Sequence, residues 1–293
     1  MKTRLVSETL RLNNPFDAPV YYKEKVTSTM DEARLLTNEP SGTVIAAGEQ
    51  SAGRGRMGRP WKMNTGENLP FTVLLRYGSI KAIPVCLTLR AGLAVSGAIE
   101  DFAGLFRNPP REALHLWQAR SSPLAGRIFV KWPNDIMLLD KEDRGRKAVG
   151  ILAEAEDGNV YLGIGVNIAQ KSFPPELEQK ACSIAQILSE ETDRNDAAAL
   201  LAEKRFTLLE LILSRLYEEL TSDDSLWRRR LEDRLYLKGR KVSFFPGLPE
   251  EYAEKAVEIE GILQGVGDGG EICITADSGE LLSFTTGELK VYT

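Results

Sequence analysis

The chain of 293 residues is long enough to bury a large core and to form one large domain, or a large domain and a small one. With 43% hydrophobic and 27% charged residues, its composition is ordinary for a soluble globular protein. The net charge of −5 argues against a general nucleic-acid-binding protein, because such domains usually carry a basic excess.

The cysteines and the histidine exclude several kinds of site. Cys86, Cys182 and Cys273 are widely separated, so we expect free thiols in a reducing compartment. His115 is the only histidine, which argues against His-based zinc sites and against Ser–His or Cys–His catalysis. The longest charge-free run, residues 158–170, is too short to span a bilayer, and no secretion signal is visible. We therefore expect a cytoplasmic protein without a membrane partner.

The first half of the chain predicts alternating strands and helices. Thr29, followed three residues later by Glu32, is typical of a capping box that begins a helix to about Leu36. Residues 104–126 carry three prolines and predict a loop or a local insertion without an assigned role. The other predicted elements of this half are strands at Val20–Lys25, Val44–Ala47 and Phe71–Leu75 and a helix at Leu87–Phe102.

The second half predicts more strands, a long helix and then a region of short strands. Apolar runs predict strands at Ile128–Lys131, Ile136–Leu139, Ala148–Glu154 and Val160–Val166, with a charged turn at residues 140–147 between the second and the third. One amphipathic helix is predicted at Asn195–Leu220. Short strands separated by Gly, Pro and Asp turns follow at Lys241–Phe245, Ala256–Leu263, Glu271–Thr275, Leu281–Thr285 and Leu289–Tyr292. This pattern predicts a small closed β-barrel at residues 237–293, after a main domain at residues 1–236.

The most informative stretch is residues 50–61, with the sequence QSAGRGRMGRPW directly after a strand-like run. Glycines let the backbone turn sharply and approach a ligand closely, and arginines offer a positive fork to phosphate or carboxylate. One interpretation is a loop that holds a small anion. The alternative is an exposed segment that contacts nucleic acid loosely or has no fixed structure.

Two further motifs follow in the strand-rich centre. Residues 130–135, VKWPND, close a predicted strand, which places Asn134 and Asp135 at its mouth, where ligands often lie. Lys147 enters the next strand beside Gly150. Taken singly, Asp135 is more simply interpreted as a turn cap and Lys147 as a solvated turn charge, because short motifs often occur by chance. Residues 163–167, GIGVN, mark another strand with closely spaced glycines.

In this order and spacing, these motifs together resemble the biotin–protein ligase family. The resemblance covers the helix start at Ser28, the arginine loop with Trp61, the VKWPND segment, the Lys147 strand, the GIGVN strand and the carboxy-terminal TGE of residues 286–288. It implies an α+β fold, a mixed β-sheet flanked by helices of the class II synthetase/biotin ligase type, followed by an SH3-like β-barrel. Only about twenty residues precede the first strand, so we expect no winged helix-turn-helix and no specific nucleic-acid partner.

The resemblance also implies a two-step acyl transfer with ATP and biotin as substrates. Biotin is activated as biotinyl-5′-AMP and is then transferred to a lysine of a biotin carboxyl carrier protein domain. The catalytic residues implied are Lys147, Arg54, Arg56 and Asp135, with Asp135 beside the incoming lysine. The biotin-binding residues implied are Ser28, Thr29, Gln50, Gly53, Arg54, Gly55, Arg56 and Lys147. The ATP-binding residues implied are Arg56, Arg59, Asn134 and Asn167.

Mg²⁺ is expected mainly on the ATP phosphates, since the sequence shows no dedicated metal site. A homodimer is left open. Met57 and Met30 replace residues common in the family and could alter how long the adenylate is retained. Two alternatives remain. One is a lipoate or octanoate ligase, but such proteins tend to carry the motif Arg-Arg-x-x-Gly-Gly-Gly followed by a histidine, and this loop has neither. The other is a non-catalytic regulator that binds the adenylate.

Overall fold

The computed structural model describes residues 8–107, 122–192, 196–222, 226–247 and 258–290 of the chain. These residues form a large mixed β-sheet with helices packed on it, followed by a smaller antiparallel sheet, which confirms the predicted fold class. In this part of the chain, no helix is long and apolar enough to cross a membrane. His115 and most of the predicted insertion lie outside the described residues.

The main sheet has eight strands in the described part of the chain, in the order β1-β2-β3-β4-β8-β7-β6-β5. The strands are β1 (Glu8–Leu10), β2 (Val20–Val26), β3 (Thr43–Gln50), β4 (Asn68–Arg76), β5 (Ile128–Lys131), β6 (Asp135–Leu139), β7 (Gly145–Glu156) and β8 (Asn159–Asn167). Strands β2 and β3 pair in parallel, because α1 crosses over between them, and the other neighbours pair antiparallel.

Helices cover both faces of this sheet. They are α1 (Thr29–Arg34), α2 (Leu87–Arg107), α3 (Ile184–Thr192), α4 (Ala197–Glu203), α5 (Arg205–Thr221) and α6 (Trp227–Glu232). Successive side chains of a strand point to opposite faces, so Val44 packs in the large core with α2 and α5, while Ile45 packs with α1. Tyr161 of β8 also packs with α1, and alternation then places Gly163, Gly165 and Asn167 on the same face.

The start of α1 differs from the predicted capping box. Ser28 is the N-cap residue, and its Oγ accepts a hydrogen bond from the backbone N–H of Met30 at 3.3 Å. Glu32 turns away to form an ion pair with Lys23 at 2.6 Å. The predicted cap is therefore wrong by one residue. Both residues of the Ser-Thr pair are capable caps, and the Thr29 hydroxyl instead bonds to Gln50 and Thr72 of the sheet.

The predicted single helix at Asn195–Leu220 is also wrong. The structure breaks it at Lys204, which has φ −88° and ψ 11°, into α4 and α5. The apolar stripe runs through the break, since Leu201, Leu208 and Leu216 are all buried, and hydrophobic periodicity therefore did not reveal it. Three short elements, β1, α3 and α6, were not predicted from the sequence.

The second sheet consists of five antiparallel strands in the described residues, in the order β12-β11-β10-β9-β13, as the predicted SH3-like barrel requires. Its strands are β9 (Lys241–Pro246), β10 (Ile259–Val266), β11 (Ile272–Ala276), β12 (Leu281–Phe284) and β13 (Gly287–Lys290). Leu235 still bridges to β5, whereas the N–H of Gly239 bonds to β10 at 2.7 Å. The domain boundary at residues 236/237 stays a prediction.

Candidate active site

One cavity of about 280 Å³ on the α1 face of the main sheet collects most of the predicted site residues. Its walls come from the β2–α1 junction, the arginine loop (residues 50–61), strands β6, β7 and β8, and strand β13 of the small barrel. The predicted residues that line it are Ser28, Thr29, Gln50, Arg54, Gly55, Arg56, Arg59, Asn134, Asp135, Lys147 and Asn167. Gly53 is predicted as well but lies behind the lining.

One end of the cavity carries a neutral polar cluster of Ser28, Thr29 and Gln50. Ser28 and Thr29 are buried, at 1% and 3% exposure. Gln50 Oε1 accepts from both the backbone N–H and Oγ1 of Thr29, at 2.8 and 3.0 Å, and Thr72 Oγ1 bonds to Thr29 Oγ1 at 2.9 Å. These bonds fix the Gln50 amide and leave its Nε2 as a donor. Gly53 is required beside it, because a Cβ there would lie 2.8 Å from Nε2.

The arginine loop folds as a short hairpin. The N–H of Gly55 donates to the carbonyl of Arg59, and the N–H of Trp61 donates to the carbonyl of Gly53, both at 2.8 Å. Met57 and the glycine after it turn the chain with φ +56° and +66°. The left-handed region disfavours side chains with a Cβ, so Met57 is the strained position of this turn. Closure of the loop over a ligand stays a prediction.

The floor of the cavity is flat because two strands carry glycine where they meet Trp61. A Cβ on Gly150 would lie 2.8 Å from the Trp61 ring, and one on Gly165 would lie 2.7 Å from it. The Lys147 ammonium lies 5.3 Å from the centroid of the same ring, which is within range of a cation–π contact. The glycines on β7 and β8 thus make room for an aromatic wall beside a cation.

Arg54 is held by carboxylates at the rim. Its Nη2 donates to Asp31 at 2.8 Å, and its Nε approaches Glu154 at 3.5 Å. Glu154 also pairs with Arg34 of α1. The hydrogen bond from Arg54 holds the pKa of Asp31 below its ordinary value. The Arg54 side chain therefore links the loop to α1 and β7. Its positive charge is balanced by the carboxylates of Asp31 and Glu154.

Arg56, in contrast, has neutral hydrogen-bond acceptors in the described part of the chain. Its Nη1 lies 3.4 Å from Asn134 Oδ1, and its Nη2 donates to the carbonyl of Gly287 at 3.1 Å. Asn134 is fixed in turn by donating to the carbonyl of Ile151 at 2.8 Å. Burial lowers the pKa of Arg56, which remains a cation because arginine does not deprotonate in proteins. Within the described ranges, Arg56 has no ion pair within 4 Å, although Asp135 and Glu288 act against this lowering of its pKa from farther away.

Two other predicted cations have carboxylate partners. Arg59 forms a two-bond pair with Glu288 of β13. Lys147 Nζ lies 2.6 Å from Asp135 Oδ1, an ion pair between β7 and β6. Asp135 Oδ1 is buried and has no well-aligned hydrogen bond in the described residues, so the contact is mainly electrostatic. Asp135 was predicted beside the incoming lysine, and in this state its carboxylate is occupied by Lys147.

Asn167 presents a single acceptor. It is 3% exposed and lines the cavity, and its Nδ2 donates to the carbonyl of Cys182 at 3.2 Å. This bond fixes the amide and leaves Oδ1 buried without a partner among the described residues. A buried acceptor without a partner is costly, so a ligand that donates a hydrogen bond at this point would be favoured.

Several residues that line the cavity were not predicted from the sequence. Lys131, the last residue of β5, faces the cavity, and so do Phe173 and Leu177 from the segment after β8. Lys131 was within reach of sequence reasoning, since it begins the motif KWPND. Nothing in the sequence marked Glu288 as the partner of Arg59, because the two lie far apart in the chain. Within the described ranges, no group of three or more His, Cys, Asp or Glu could hold a metal ion.

The chain is similar to known proteins in sequence and in fold. The model of the biotin/lipoate A/B protein ligase family matches residues 20–169, from β2 to just beyond β8. A bifunctional ligase/repressor BirA from Bacillus spizizenii is 35% identical over 182 residues, covering 59% of this chain and 48% of that protein. A biotin–[acetyl-CoA-carboxylase] ligase from Mycobacterium tuberculosis is 34% identical over 164 residues, covering 55% and 51%.

The chain thus spans about half the length of these curated relatives. Among solved structures, the biotin protein ligase from Aquifex aeolicus in complex with biotin and ATP has the same fold, with a TM-score of 0.66. The two share 24% identity, over 92% of this chain and 97% of that one. On the family match, which takes in the arginine loop and the strands of the cavity floor, the chain belongs to the biotin/lipoate A/B protein ligase family.

Proposed function

We propose that the chain is an ATP-dependent biotin–protein ligase, which activates biotin as biotinyl-5′-AMP and transfers it to a lysine of a biotin carboxyl carrier protein domain. The observation that carries the proposal is the neutral cluster of Ser28, Thr29 and Gln50 in the same cavity as the cations Arg56 and Lys147. A ligand with a polar head and an anionic tail fits both ends of such a cavity.

In the proposed first step, a carboxylate oxygen of biotin attacks the α-phosphorus of ATP. A new P–O bond forms, the bond to the β-phosphate breaks, and pyrophosphate leaves with the bonding electrons. Two anions must approach each other, so positive charge placed in advance lowers the barrier. Lys147 would lie between the carboxylate and the α-phosphate, and Arg56 would hold the nucleotide phosphates.

In the proposed second step, the amine of a carrier lysine attacks the acyl carbon of the adenylate. An amide bond forms, AMP leaves, and the nitrogen loses a proton. We propose that Asp135 accepts or orients that proton, and to do so it must exchange its contact with Lys147 for one with the incoming amine. The first step would loosen this contact, because the phosphate competes for Lys147.

Mg²⁺ would reach the site on the ATP phosphates. The carboxylates that line the cavity, Asp135 and Glu288, are both paired with cations, so they offer no separate metal site. When bound, the ion would neutralise part of the phosphate charge. Lys147 and Arg56 would supply the remaining positive charge around the phosphates.

The family includes ligases for lipoate as well as for biotin, so the choice of acid is part of the proposal. The ureido ring of biotin offers both donors and acceptors to Thr29, Gln50 and Ser28. The dithiolane ring of lipoate offers none, and buried polar groups would be left without partners. This argument favours biotin. A regulator that only binds the adenylate would share the cavity but would not release pyrophosphate.

Mass spectrometry of a biotin carrier domain incubated with the protein, ATP and Mg²⁺ tests the proposal. With biotin, we expect one added biotinyl group per carrier domain, together with biotin-dependent release of pyrophosphate. Modification of the carrier domain with lipoate and not with biotin would establish lipoate as the substrate. Tight binding of biotinyl-5′-AMP without pyrophosphate release would establish the regulator instead. Heat-denatured protein and a carrier domain with its acceptor lysine changed to arginine serve as controls.

A further inference from the structure

Trp132 is a buried residue to which the proposed mechanism gives no role. It lies within the motif KWPND and is 2% exposed. Its indole Nε1 donates a hydrogen bond to the carbonyl of Gly270 at 2.9 Å. Gly270 belongs to the barrel turn, the connection between β10 and β11 at residues 267–271. A buried indole N–H needs a partner, and here the partner comes from the small barrel, 138 residues away in the chain.

The barrel turn that accepts this bond is itself held in place. Gly270 has φ +85°, which lies in the left-handed region, and its N–H donates to the carbonyl of Gly267 at 3.1 Å. A Cβ on Gly270 would collide with Sγ of Cys86, the residue directly before α2. Glycine is therefore required at this position for both its backbone conformation and its small size. The barrel turn is packed against the start of α2.

The start of α2 also holds the residue that follows Trp132. Thr88 Oγ1 donates a hydrogen bond to the carbonyl of Pro133 at 3.1 Å. The ring of Trp132 packs in addition against Phe244 of β9, with 5.9 Å between the ring centroids. Residues 132–134 form the whole connection between β5 and β6. Two of these three residues are thus held from outside the main sheet, one by the barrel and one by a helix.

The third connecting residue and the one after it are the candidate site residues Asn134 and Asp135. The N–H of Asn134 donates to the carbonyl of Lys131 at 3.2 Å, so the connection is a tight turn. Asp135 is the first residue of β6 and pairs in register with Lys131. In so short a connection, a shift of Trp132 moves the backbone of both site residues. A misplacement of about 1 Å at a reacting group can cost about 100-fold in rate.

We infer that Trp132 is a positioning residue, which links the β5–β6 connection to the barrel turn at Gly270 and thereby sets the position of Asp135. The inference rests on the proposed function for the step that it serves, the attack of the carrier lysine on the adenylate. The link from the barrel turn through Trp132 to the backbone of the connection does not depend on that reaction. It gives the barrel a second contact with the site, separate from the wall that β13 provides.

Hydrogen exchange, measured by mass spectrometry on the protein alone, tests the link without any ligase chemistry. Gly270→Ala leaves the β5–β6 connection unchanged in sequence but displaces the acceptor of the indole N–H. We expect the backbone amides of residues 132–135 to exchange about 3–10-fold faster, as for the loss of one hydrogen bond, and those of β8 to stay unchanged. Gly279→Ala is the matched control. Gly279 also has a positive φ, of +87°, but a Cβ there would meet no atom of the described residues within 4 Å.

The two half-reactions give a second test with Trp132→Phe, which keeps an aromatic ring beside Phe244 and removes the N–H donor. Transfer of biotin from preformed biotinyl-5′-AMP should lose about 3–10-fold in kcat, with the KM for the carrier domain within a factor of about two. Adenylate formation, in which Lys147 acts from another strand, should fall by less. The double variant Trp132→Phe/Gly270→Ala should lose no more than the more affected single variant, because both changes remove the same bond.

Wild-type exchange of residues 132–135 in Gly270→Ala would overturn the inference. So would an equal fall of both half-reactions together with a lower melting temperature, since that result would indicate a purely structural role. If circular dichroism shows that Trp132→Phe does not fold, Gly270→Ala and its control decide both tests. Failure of the wild type to biotinylate any carrier would overturn the proposed function instead, and the exchange measurement would still decide the link.

Discussion

Arg59 and Glu288 meet through two hydrogen bonds, from Nη1 to Oε1 at 2.9 Å and from Nη2 to Oε2 at 2.7 Å. Arg59 belongs to the arginine loop and Glu288 to β13, so the pair joins the loop to the small barrel. The loop's other contact with β13, from Arg56 to the carbonyl of Gly287, lies beside it. The barrel therefore forms one wall of the site and restrains the arginine loop.

Loss of this pair should loosen the loop. Glu288→Gln removes a partly exposed ion pair of the kind worth about 0.2–1 kcal/mol, so we expect tryptic cleavage after Arg54, Arg56 and Arg59 to speed up by about 1.5–5-fold. Biotin plus ATP should slow cleavage in the wild type and in the variant, because the ligand orders the loop. Asp277→Asn removes a barrel ion pair with Lys241 away from the loop and should leave cleavage unchanged.

The same pair predicts a pH dependence. Arg59 holds the pKa of Glu288 below its ordinary value of 4.5. The contribution of the pair is therefore fully present above pH 4.5 and is lost as the pH falls through the pKa in the folded protein. Hydrogen exchange of the loop amides, corrected for the intrinsic rate, should rise in this acid range for the wild type. Glu288→Gln should show high exchange at every pH, and a parallel rise in both proteins would contradict the prediction.

Lys147→Ala should nearly abolish adenylate formation. A preorganised cation at the reacting centre is worth about 10²–10³-fold in rate, and the pyrophosphate exchange rate with saturating biotin and ATP measures it. The fold should survive, because the substitution removes a partly exposed strand charge and no core side chain. Lys238→Ala is the matched control. A Lys147→Ala protein with normal circular dichroism and wild-type exchange would exclude the assigned role.

Arg54→Met should act differently, although the sequence assigned Arg54 to the same chemistry. Its guanidinium is held by Asp31 and Glu154, so we expect a higher KM for biotin, by about 5–20-fold, with kcat within a factor of about three. Asp31→Asn should reproduce part of this effect by releasing one end of the contact. A fall in kcat alone would show that Arg54 leaves its carboxylates to reach the reacting atoms.

Gly165→Ala should displace Trp61. The added Cβ would lie 2.7 Å from the ring, too close for two unbonded carbon atoms. We expect a shifted tryptophan emission maximum and at least a ten-fold loss of biotin affinity, while the melting temperature changes little. Gly97→Ala in α2 has room for a methyl group, with the nearest atom 3.9 Å away, and should stabilise the helix by about 0.5–1 kcal/mol. Unchanged emission in Gly165→Ala would show that the ring adapts.

The sequence predicted those parts of the fold that rest on local pattern. Runs such as Ile128–Lys131 became strands with the predicted bounds, because buried strands need continuous apolar residues. The break at Lys204 was missed because both helices bury the same leucine stripe. The cap at Ser28 was misplaced because the choice between adjacent hydroxyls depends on the contact of Thr29 with Gln50, which joins distant segments.

The candidate site was predictable as a set of residues but not as a set of pairings. The order of the motifs along the chain predicted Gln50, Asn134 and Lys147 as site residues, and all three line one cavity in the structure. Which cations face carboxylates depends on the folded arrangement: Glu288 meets Arg59 only because the barrel docks beside the loop. The local sequence therefore could not show that Arg54 has carboxylate partners, whereas Arg56 has no ion pair within 4 Å among the described residues.

The wall that β13 adds to the cavity has a consequence during synthesis of the protein. The segments around the site run from Ser28 to Leu289, so a chain emerging from the ribosome exposes the polar cluster and the arginine loop long before the last wall is made. A chain that ends before β13 would therefore have an open site. Under the proposed function, such a chain would leave an acyl adenylate exposed to water.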